Sequence, residues 1–468
     1  MDLYNKKIHV IGMGMTGLAT AKFLHHRGAV VTAADMASGE NMESAVAALK
    51  QLGIETVLGN QYAEGCDAAD MVVLSPGVPH TSDFLMRARS NGVCVIGEIE
   101  LASRFVTAPI IAITGTNGKT TVTSLLGDML KSCGLNVFVG GNIGDPLIGY
   151  VDRDENADWI VLEVSSFQLD TISTFRPDIG ILLNITEDHL DRYPDMSAYA
   201  ASKLRIFQNQ TGRDIAIING SDPWIRRFSD QIPGRRWVFG DPMPEQRGSA
   251  EIADGILRVK TENCFSGNIS PKPDLPADHR ADGVFRIDIS RSRLFGRHNH
   301  DNISAAVMAA LAAGGSIQGI QAALNNFKGL PHRIEFVRTL HGVTYVDDSK
   351  ATNIDAVYRA LECFEQPVVL IMGGIDKGGD YRILEPVIQN RVKHLIVMGE
   401  AADIIATALG NIVPTQRAAS MADAVAMAYH MSKDGDVVLL SPACSSFDMF
   451  KSYAHRGNVY QDEVNHLQ

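Results

Sequence analysis

The sequence predicts an α/β protein built from three domains in tandem. Short apolar runs rich in β-branched residues alternate with amphipathic helix patterns along most of the 468 residues. Two of these runs lead directly into glycine-rich turns that open helices, and many others end in polar or charged residues. Because about three domains of typical size fit a chain of this length, we predict domains at residues 1–105, 106–328 and 329–468.

Composition and charge exclude several classes of partner. The chain is 45% hydrophobic and 21% charged, and its net charge of −12 argues against a nucleic-acid-binding role. No segment approaches the roughly 20 apolar residues of a membrane span, and glycines interrupt the first apolar run, so we expect neither a membrane partner nor a signal peptide. The six cysteines form no Cys-x-x-Cys pair, which favours reduced thiols and a cytoplasmic protein.

The central domain is predicted to open with a strand, a phosphate-binding loop and a helix. The apolar residues 109–113 lead into Thr114-Gly115-Thr116-Asn117-Gly118-Lys119-Thr120-Thr121. Glycines let backbone N–H groups approach phosphates, while Lys119 would reach the β- and γ-phosphates and Thr120 a Mg²⁺ ion. Only two residues separate the glycines, where the usual motif has four, so an ordinary βα turn is the alternative. The apolar face of the predicted helix comprises Val122, Leu125, Leu126, Met129 and Leu130, with Gly134 past its end.

The first domain carries a second glycine motif. A predicted strand at residues 7–10 precedes Gly12-x-Gly14-x-x-Gly17, and a second strand ends at Asp35. This is the fingerprint of a Rossmann-like domain with a pyrophosphate on its first helix, and it does not by itself specify nicotinamide. A strand at residues 70–74 runs into the rigid turn that begins at Ser75, at the sheet edge where such folds hold ligands.

Polar side chains follow three further strands of the central domain. Asn142 lies in a glycine-rich strand exit, Glu163 follows the strand at 159–162, and His189 belongs to the polar segment after the strand at 179–183. Because the ends of parallel strands meet at one edge, Glu163 and His189 are candidate magnesium ligands. Taken singly, each has a plainer alternative: a surface carboxylate for Glu163 and an ordinary core or surface histidine for His189.

The remaining segments complete the prediction. Residues 241–285 are rich in proline, glycine and charge, and we interpret them as a variable surface insertion with a short hairpin-like piece. Asn299 and Asn302 lie at the start of an alanine-rich helix, either as caps or as amide contacts to a base.

Residues 327–333 predict a hinge into a Rossmann-like third domain with strands at 343–346, 368–372, 394–398 and 437–440. We expect ATP to close this domain, and we expect the cleft to lie at the domain interfaces.

Together these motifs resemble those of the Mur ligases, and they span all three predicted domains. Residues 348–353 and 441–448, with Ser75-Pro-Gly77, resemble the members that add D-glutamate. The short phosphate loop is the form this family uses. The residues that carry the resemblance are 114–120, 163–168, 184–193, His298, Asn299, Asn302, His332, Arg333, 348–353 and 441–448.

The resemblance implies an ATP-dependent ligase that joins D-glutamate to UDP-N-acetylmuramoyl-L-alanine through an acyl phosphate, in cytoplasmic peptidoglycan synthesis. It implies ATP, two Mg²⁺ ions, small-molecule partners and a monomer. It also implies that Lys203, which could otherwise be a solvated helix lysine, carries a CO₂-derived carbamate. The catalytic residues would be Lys119, His189 and Lys203, and the metal ligands Thr120, Glu163, His189 and carbamylated Lys203.

The resemblance also assigns the substrate contacts. Tyr453 stands where we associate a phenylalanine with the family. Both side chains have an aromatic ring, so the ring can still make an edge contact with the substrate. Asp35 is followed by Met36 and Ala37, where some members carry Thr-Arg. The ATP contacts are Gly115, Thr116, Asn117, Gly118, Lys119, Thr120, Thr121, Asn299, Asn302, Arg333 and Asp348. The contacts to the UDP-linked substrate are Met15, Thr16, Asp35, Ser75, Asn142 and His189. The contacts to D-glutamate are Lys350, Thr352, Lys377, Ser446 and Tyr453.

Three alternatives remain open at this point. A nicotinamide-dependent dehydrogenase would use the first glycine motif but would leave the phosphate loop and third domain without a role. A nucleotide-gated binding protein would bind ATP without turnover, and Glu163, His189 and Lys203 would be superfluous. Another Mur or folate-glutamate ligase is the nearest alternative, and the third-domain motifs argue against it.

Overall fold

The computed structural model describes residues 1–39, 42–189, 192–261, 284–294 and 296–468. These residues form three β-sheets flanked by helices. They divide into two compact units. Unit 1 comprises Met1–Ile185, Ser197–Arg291 and Asp301–Asn326, and unit 2 comprises Thr186–Met196, Ser292–His300 and Phe327–Gln468. Among the described helices, none is long and apolar enough to cross a membrane.

The first sheet of unit 1 has five parallel strands in the order β3-β2-β1-β4-β5. The predicted strand before the first glycine motif, the strand that ends at Asp35 and the strand before Ser75 are present as β1, β2 and β4. The strands are β1 Lys7–Ile11, β2 Val30–Asp35, β3 Glu55–Leu58, β4 Met71–Leu74 and β5 Cys94–Gly97. The helices are α1 Met15–His26, α2 Glu43–Gln51, α3 Asp83–Ser90 and α4 Glu98–Ser103.

The second sheet of unit 1 has nine strands in the order β14-β13-β12-β11-β10-β9-β6-β8-β7. It is parallel from β7 to β12, and antiparallel from β12 to β14. The strands are β6 Ile110–Thr114, β7 Val137–Gly141, β8 Trp159–Glu163, β9 Ile179–Leu182, β10 Ile215–Asn219, β11 Arg235–Phe239, β12 Gly248–Ala253, β13 Ile256–Thr261 and β14 Val284–Asp288. The associated helices are α5 Lys119–Ser132, α6 Leu147–Asp152, α7 Ser166–Leu169, α8 Met196–Leu204, α9 Pro223–Phe228, α10 Arg297–Ala312 and α11 Ile317–Asn326.

The interpretation of residues 241–285 as a surface insertion was wrong for its described part. Strands β12 to β14 extend the second sheet, and Ala250, Leu257 and Val259 are buried. Leu257 and Val259 alternate with exposed polar residues, as expected of a half-buried antiparallel strand. The short hairpin-like piece predicted in this segment is confirmed as β12 and β13, but the surrounding prolines, glycines and charges concealed that it continues the second sheet. Residues 262–283 of that segment lie outside the described residues.

Two glutamates of α4 connect the first sheet to elements of the second. The Glu100 carboxylate accepts hydrogen bonds from the backbone N–H groups of Ser173, Thr174 and Phe175. The Glu98 Oε1 atom accepts one from the Ile148 N–H at 2.7 Å. Both side chains are buried, and burial raises the pKa of Glu98 to about 7. The two sheets of unit 1 are therefore tied through buried carboxylates.

The sheet of unit 2 has six strands in the order β15-β16-β20-β17-β18-β19. All are parallel except β15, which pairs antiparallel with β16. Leu370 and Val369 of β17 face different hydrophobic clusters, so this strand is buried on both faces. The strands are β15 Glu335–Leu340, β16 Val343–Asp347, β17 Val368–Gly373, β18 Val392–Met398, β19 Thr415–Arg417 and β20 Val437–Leu440. The helices are α12 Ile354–Glu362, α13 Glu385–Arg391, α14 Ala402–Leu409, α15 Met421–Met431 and α16 Tyr453–His466.

Candidate active site

The predicted strand, loop and helix around Lys119 are confirmed. Strand β6 ends at Thr114 and α5 begins at Lys119. Gly118 has a φ of +86°, a left-handed conformation that favours glycine. A Cβ atom at Gly118 would lie 2.3 Å from the Asn302 Oδ1 atom, so the Asn302 amide packs directly against the loop. All five residues of the predicted apolar face of α5 are buried.

Asn184 holds the phosphate loop from the end of the neighbouring strand β9. Its Oδ1 atom accepts from the Asn117 N–H at 2.8 Å, and its Nδ2 atom donates to the Asn117 carbonyl at 3.0 Å. Its backbone carbonyl accepts from the Thr116 N–H at 2.9 Å. The sequence predicts Asn184 only as a residue at a strand end, without this positioning role. An amide directly after the adjacent strand was the available signal.

Two lysines lie against the same loop carbonyl. The Lys119 Nζ atom donates to the carbonyls of Gly115 and Thr116, both at 2.9 Å. The Lys203 Nζ atom, from α8, also donates to the Gly115 carbonyl at 3.0 Å and lies 4.5 Å from the centroid of the Tyr199 ring. Lys203 is only 2% exposed, so the alternative of a solvated helix lysine is wrong. This concentration of positive charge suits a highly charged anion.

Glu163 is buried at the end of β8, so the alternative of a surface carboxylate is wrong. Its Oε1 atom accepts a hydrogen bond from the Asn142 Nδ2 atom at 2.8 Å. Its Oε2 atom is buried and has no hydrogen-bond partner among the described residues. A buried carboxylate oxygen without a partner is costly unless a ligand satisfies it. Together with the Thr120 hydroxyl in the first turn of α5, this oxygen fits the ligand set of Mg²⁺.

The predicted UDP-substrate residues of the first sheet surround the loop after β1. The Ser75 Oγ atom donates to the Gly12 carbonyl at 2.9 Å. The Asp35 carboxylate accepts from the Met13 N–H at 2.7 Å and from the Ala37 N–H at 2.8 Å. Ser75 and Asp35 therefore hold the loop. The other two predicted residues lie in the first turn of α1: Thr16 is half-buried and Met15 is 69% exposed.

In unit 2, a cavity of about 290 Å³ is lined by His189 and Lys377 among others. The Lys377 Nζ atom lies 4.0 Å from the Asp188 Oδ1 atom, and the Asn353 Nδ2 atom donates to Asp188 Oδ2 at 3.2 Å. His189 has a φ of +58°, which is uncommon for a residue with a side chain. The structure thus brings the predicted His189 and Lys377 to one cavity.

The other predicted amino-acid contacts lie outside the lining of this cavity. The Lys350 Nζ atom lies 3.6 Å from the centroid of the Tyr453 ring, a cation–π contact that does not use the Tyr453 hydroxyl. Ser446 is buried and Thr352 is half-buried. The predicted set is therefore divided between the cavity that Lys377 lines and the Lys350–Tyr453 pair.

Asp348 is buried, and its pKa is raised to about 7 by burial. Its carboxylate accepts from the Ser441 Oγ atom at 2.9 Å and from the Ile334 N–H at 3.2 Å, and the neighbouring Arg333 favours its charged form. Helix α10 begins at Arg297, so Asn299 and Asn302 lie inside it and the capping alternative is wrong.

The predicted hinge at residues 327–333 ends in a hydrogen-bonded cluster. Ligand atoms of His332, Glu335 and Asp347 lie within 4.8 Å of one another. His332 Nδ1 and Asp347 Oδ2 are 2.6 Å apart, and Gln461 Nε2 donates to Glu335 at 3.0 Å and to Asp347 at 2.8 Å. These hydrogen bonds connect β15, β16 and α16, and they explain why the three ligand-type side chains lie close together.

Known proteins match every part of this arrangement. Residues 6–97 match the "Mur ligase MurD-like, N-terminal domain", residues 113–310 the "Mur ligase middle domain" and residues 332–444 the "Mur ligase, glutamate ligase domain". The UDP-N-acetylmuramoylalanine–D-glutamate ligase of Desulfosudis oleivorans is 48% identical over 100% of this chain and 98% of its own length. The chain belongs to the Mur ligase family.

A second relative agrees in sequence, and two solved structures agree in fold. The ligase of the same name from Desulfatibacillum aliphaticivorans is 47% identical over the full length of both chains. The pseudomurein peptide ligase type C of Methanothermus fervidus superimposes with a TM-score of 0.61 at 18% identity, covering 99% of this chain and 100% of that one. The MurF ligase of Thermotoga maritima, solved with ADP, gives 0.60 at 16% identity and covers 99% of each chain.

Family membership confirms the predicted α/β architecture of three domains. It also makes the chain an ATP-dependent ligase of peptidoglycan precursor synthesis, with ATP and magnesium as the general requirements of Mur ligases. The dehydrogenase and the nucleotide-gated binding protein are thereby excluded. The first glycine motif belongs to the MurD-like N-terminal domain.

Proposed function

We propose that this Mur ligase joins D-glutamate to UDP-N-acetylmuramoyl-L-alanine in the cytoplasm, acting as a monomer with domains at residues 1–105, 106–328 and 329–468. Two observations carry the reaction type. Two lysines donate to one carbonyl of the phosphate loop, and a buried oxygen of Glu163 has no hydrogen-bond partner among the described residues. The choice of substrates is supported by the names of two relatives, which are 48% and 47% identical over the whole chain.

ATP phosphates bind to the N–H groups and side chains of residues 115–121. The N-terminus of α5 adds partial positive charge, and Lys119 neutralises the β- and γ-phosphates. Asn184 keeps the loop in one conformation, so little conformational entropy is lost when nucleotide binds. Asn299, Asn302, Arg333 and Asp348 contact the adenine and ribose.

Thr120 and Glu163 would hold one Mg²⁺ ion, and His189 would hold a second. When bound, magnesium neutralises charge on the phosphates and on the reacting carboxylate. Lys203 would serve as a ligand after carbamylation by CO₂. Carbamylation requires a neutral amine, because the nitrogen lone pair must attack the carbon of CO₂.

In the reaction, a carboxylate oxygen of UDP-N-acetylmuramoyl-L-alanine attacks the γ-phosphorus of ATP, and ADP leaves. The amine of D-glutamate then attacks the acyl carbon. The tetrahedral intermediate expels phosphate, and the nitrogen loses its proton as the amide forms. Lys119 and the loop N–H groups offset the repulsion between phosphate and carboxylate, and rigid positioning makes in-line attack possible.

Each substrate has a set of contacts suited to its charge. Lys350 and Lys377 bind the two carboxylates of D-glutamate, with Thr352 and Ser446 as hydroxyl donors and the ring of Tyr453 at the edge. The UDP-linked substrate lies on the loop after β1, where Ser75 and Asp35 position the backbone. Met15, Thr16, Asn142 and His189 complete that set.

A phosphate-release assay with candidate acceptors and amino acids tests this proposal. We expect release that requires both UDP-N-acetylmuramoyl-L-alanine and D-glutamate, with L-glutamate as the matched control. Equal release with D-glutamate, meso-diaminopimelate and L-lysine would contradict the assignment and favour another Mur or folate-type ligase. Mass spectrometry of the intact product identifies the new amide, light scattering measures the oligomeric state, and small-angle scattering with a nonhydrolysable ATP analogue tests closure.

A further inference from the structure

We call residues 373–379 the lysine loop. It begins at the last residue of β17 and contains Lys377. Four of its seven residues are glycines. Glycine-rich segments populate many backbone conformations, so a single conformation must be imposed by contacts outside the loop. The start of the loop is anchored by backbone: Ile375 N–H donates to the Ser445 carbonyl at 2.9 Å, and Ser445 N–H donates to the Ile375 carbonyl at 3.1 Å.

The residue beside Lys377 is anchored by a side chain. The Tyr381 hydroxyl donates to the Asp376 Oδ1 atom at 2.8 Å and lies 3.1 Å from the Cys444 Sγ atom. Tyr381 is 3% exposed and Cys444 is fully buried. Burial, together with Cys444 and Asp376, raises the pKa of Tyr381, so the hydroxyl stays protonated and remains a donor.

This anchor lies at the cavity itself, because Asp376, Lys377 and Tyr381 all line it. At the far end of the loop, Gly379 packs closely on Ile354, where a Cβ atom would lie 2.6 Å from the Ile354 Cδ1 atom. The Asp376 side chain is thus held on one side by Tyr381, while the Lys377 ammonium lies 4.0 Å from Asp188. Without the hydrogen bond from Tyr381, the Asp376 side chain in the centre of the loop would lose this anchor, and the contacts of Ile375 and Gly379 would remain.

We propose that Tyr381 and Asp376 are positioning residues for the amino-acid substrate: their hydrogen bond holds the lysine loop so that Lys377 meets a substrate carboxylate. This inference rests on the proposed function. Neither residue needs to touch the substrate. Their contribution is preorganisation, which lowers the entropy lost when the carboxylate binds.

The test is Tyr381→Phe, which removes the hydroxyl and keeps the buried ring. We expect the KM for D-glutamate to rise about tenfold, the order of one hydrogen bond. The KM values for ATP and the UDP-linked substrate should stay unchanged and kcat should stay within about twofold, because a bond outside the reacting groups changes binding. Tyr429→Phe is the matched control, since the Tyr429 hydroxyl donates to the Gln468 carbonyl at 3.1 Å on an exposed surface.

Variants of the partner residue separate positioning from packing. Asp376→Ala should raise the KM for D-glutamate as Tyr381→Phe does, whereas Asp376→Asn keeps an acceptor oxygen and should restore most of the wild-type value. The double variant Tyr381→Phe/Asp376→Ala should be no worse than either single variant, because both remove the same bond. Thermal unfolding of each variant checks that the fold is intact.

Two results would overturn the inference: an unchanged KM for D-glutamate in Tyr381→Phe, or a common rise in the KM values of all three substrates. The proposed function is judged separately, by the wild-type requirement for D-glutamate. If the wild type uses a different amino acid, that amino acid replaces D-glutamate in the same comparison, and the variants still decide the role of Tyr381.

Discussion

The two glycine loops of unit 1 connect a parallel strand to a helix in the same way, yet they carry different charges. Gly12 has a φ of +93° and Gly118 a φ of +86°. Residues 12–17 contain no charged side chain, and uncharged Ser75 and anionic Asp35 hold that loop through its backbone. In the second loop, Lys119 and Lys203 both donate to the Gly115 carbonyl.

This difference separates holding a phosphate from transferring one. Backbone N–H groups and a helix N-terminus suffice to hold a pyrophosphate that does not react. A transferred phosphoryl group that meets a carboxylate also needs nearby cations, because both groups are anionic. The same backbone geometry therefore serves either purpose, and the side chains around it decide which. Variants at each loop test this division, and the largest effect is expected at Lys119.

Replacing Lys119 by methionine should lower kcat/KM for ATP by about 10³-fold, because a single preorganised charge at a reacting group is worth this order. Binding of the UDP-linked substrate, measured by calorimetry, should be unchanged. Lys131→Ala, at an exposed position of the same helix, is the control. A loss below tenfold, or weaker binding of the UDP-linked substrate, would break the division between the loops.

Glu163→Gln should raise the Mg²⁺ concentration needed for half-maximal phosphate release and lower activity by about 10²-fold. The glutamine keeps an acceptor for Asn142 but removes the charge from the buried oxygen, which has no hydrogen-bond partner in the part of the chain that the structure describes. Asp128→Asn, at an exposed position of α5, is the control. An unaltered magnesium titration would show that Glu163 does not bind the metal.

At the first loop, Ser75→Ala removes the hydrogen bond to the Gly12 carbonyl. We expect the KM for the UDP-linked substrate to rise about five- to tenfold, as one hydrogen bond predicts. The KM for ATP should not change. Ser90→Ala, which removes exposed hydroxyl contacts at the end of α3, serves as the comparison. If ATP binding weakened equally, the two loops would not act independently.

The smallest effect on activity is expected at Glu98, which ties the sheets that carry the two loops. Burial raises the pKa of Glu98 from 4.5 to about 7. Between these two values the Glu98 carboxyl is protonated in the folded chain and ionised in the unfolded chain. Stability should therefore fall as pH rises from about 4.5 to 7, by on the order of 2 kcal/mol, and then level off. Urea unfolding of the full chain at pH 5 and pH 8 measures the slope.

Glu98→Gln keeps an acceptor for the Ile148 N–H and cannot ionise, so it should remove this slope and leave ATP turnover nearly unchanged. Glu100 supplies the opposite case. Burial raises the pKa of Glu100, but hydrogen bonds outweigh this effect and lower the pKa; they come from Thr174, Ser173, Phe175 and Arg104. The stability that Glu100 contributes to the fold is therefore lost as pH falls. A wild-type slope that persists in Glu98→Gln would assign the pH dependence to another group.

Much of this molecule could be predicted from local pattern. Strand β6, the loop at 115–118 and helix α5 follow from an apolar run, two glycines and a helical repeat, and the five predicted core residues of α5 are buried. The motifs at strand ends predict a site because a parallel sheet brings those ends to one edge, and the roles of its residues stay predictions. The edge strands β12 to β14 were interpreted as an insertion, since short amphipathic strands among prolines carry little local signal.

Sequence alone determined the strand, loop and helix at each glycine motif and the family resemblance, because each depends on residues that are neighbours along the chain. Tertiary structure alone decided that Lys203 is buried against the Gly115 carbonyl, that Asn184 holds the phosphate loop, and that a tyrosine hydroxyl anchors the lysine loop. Lys203 is far from Gly115 in sequence, and Asn184 is far from the loop that it holds. Such pairs meet because sheet order and helix packing place them together, which no local periodicity encodes.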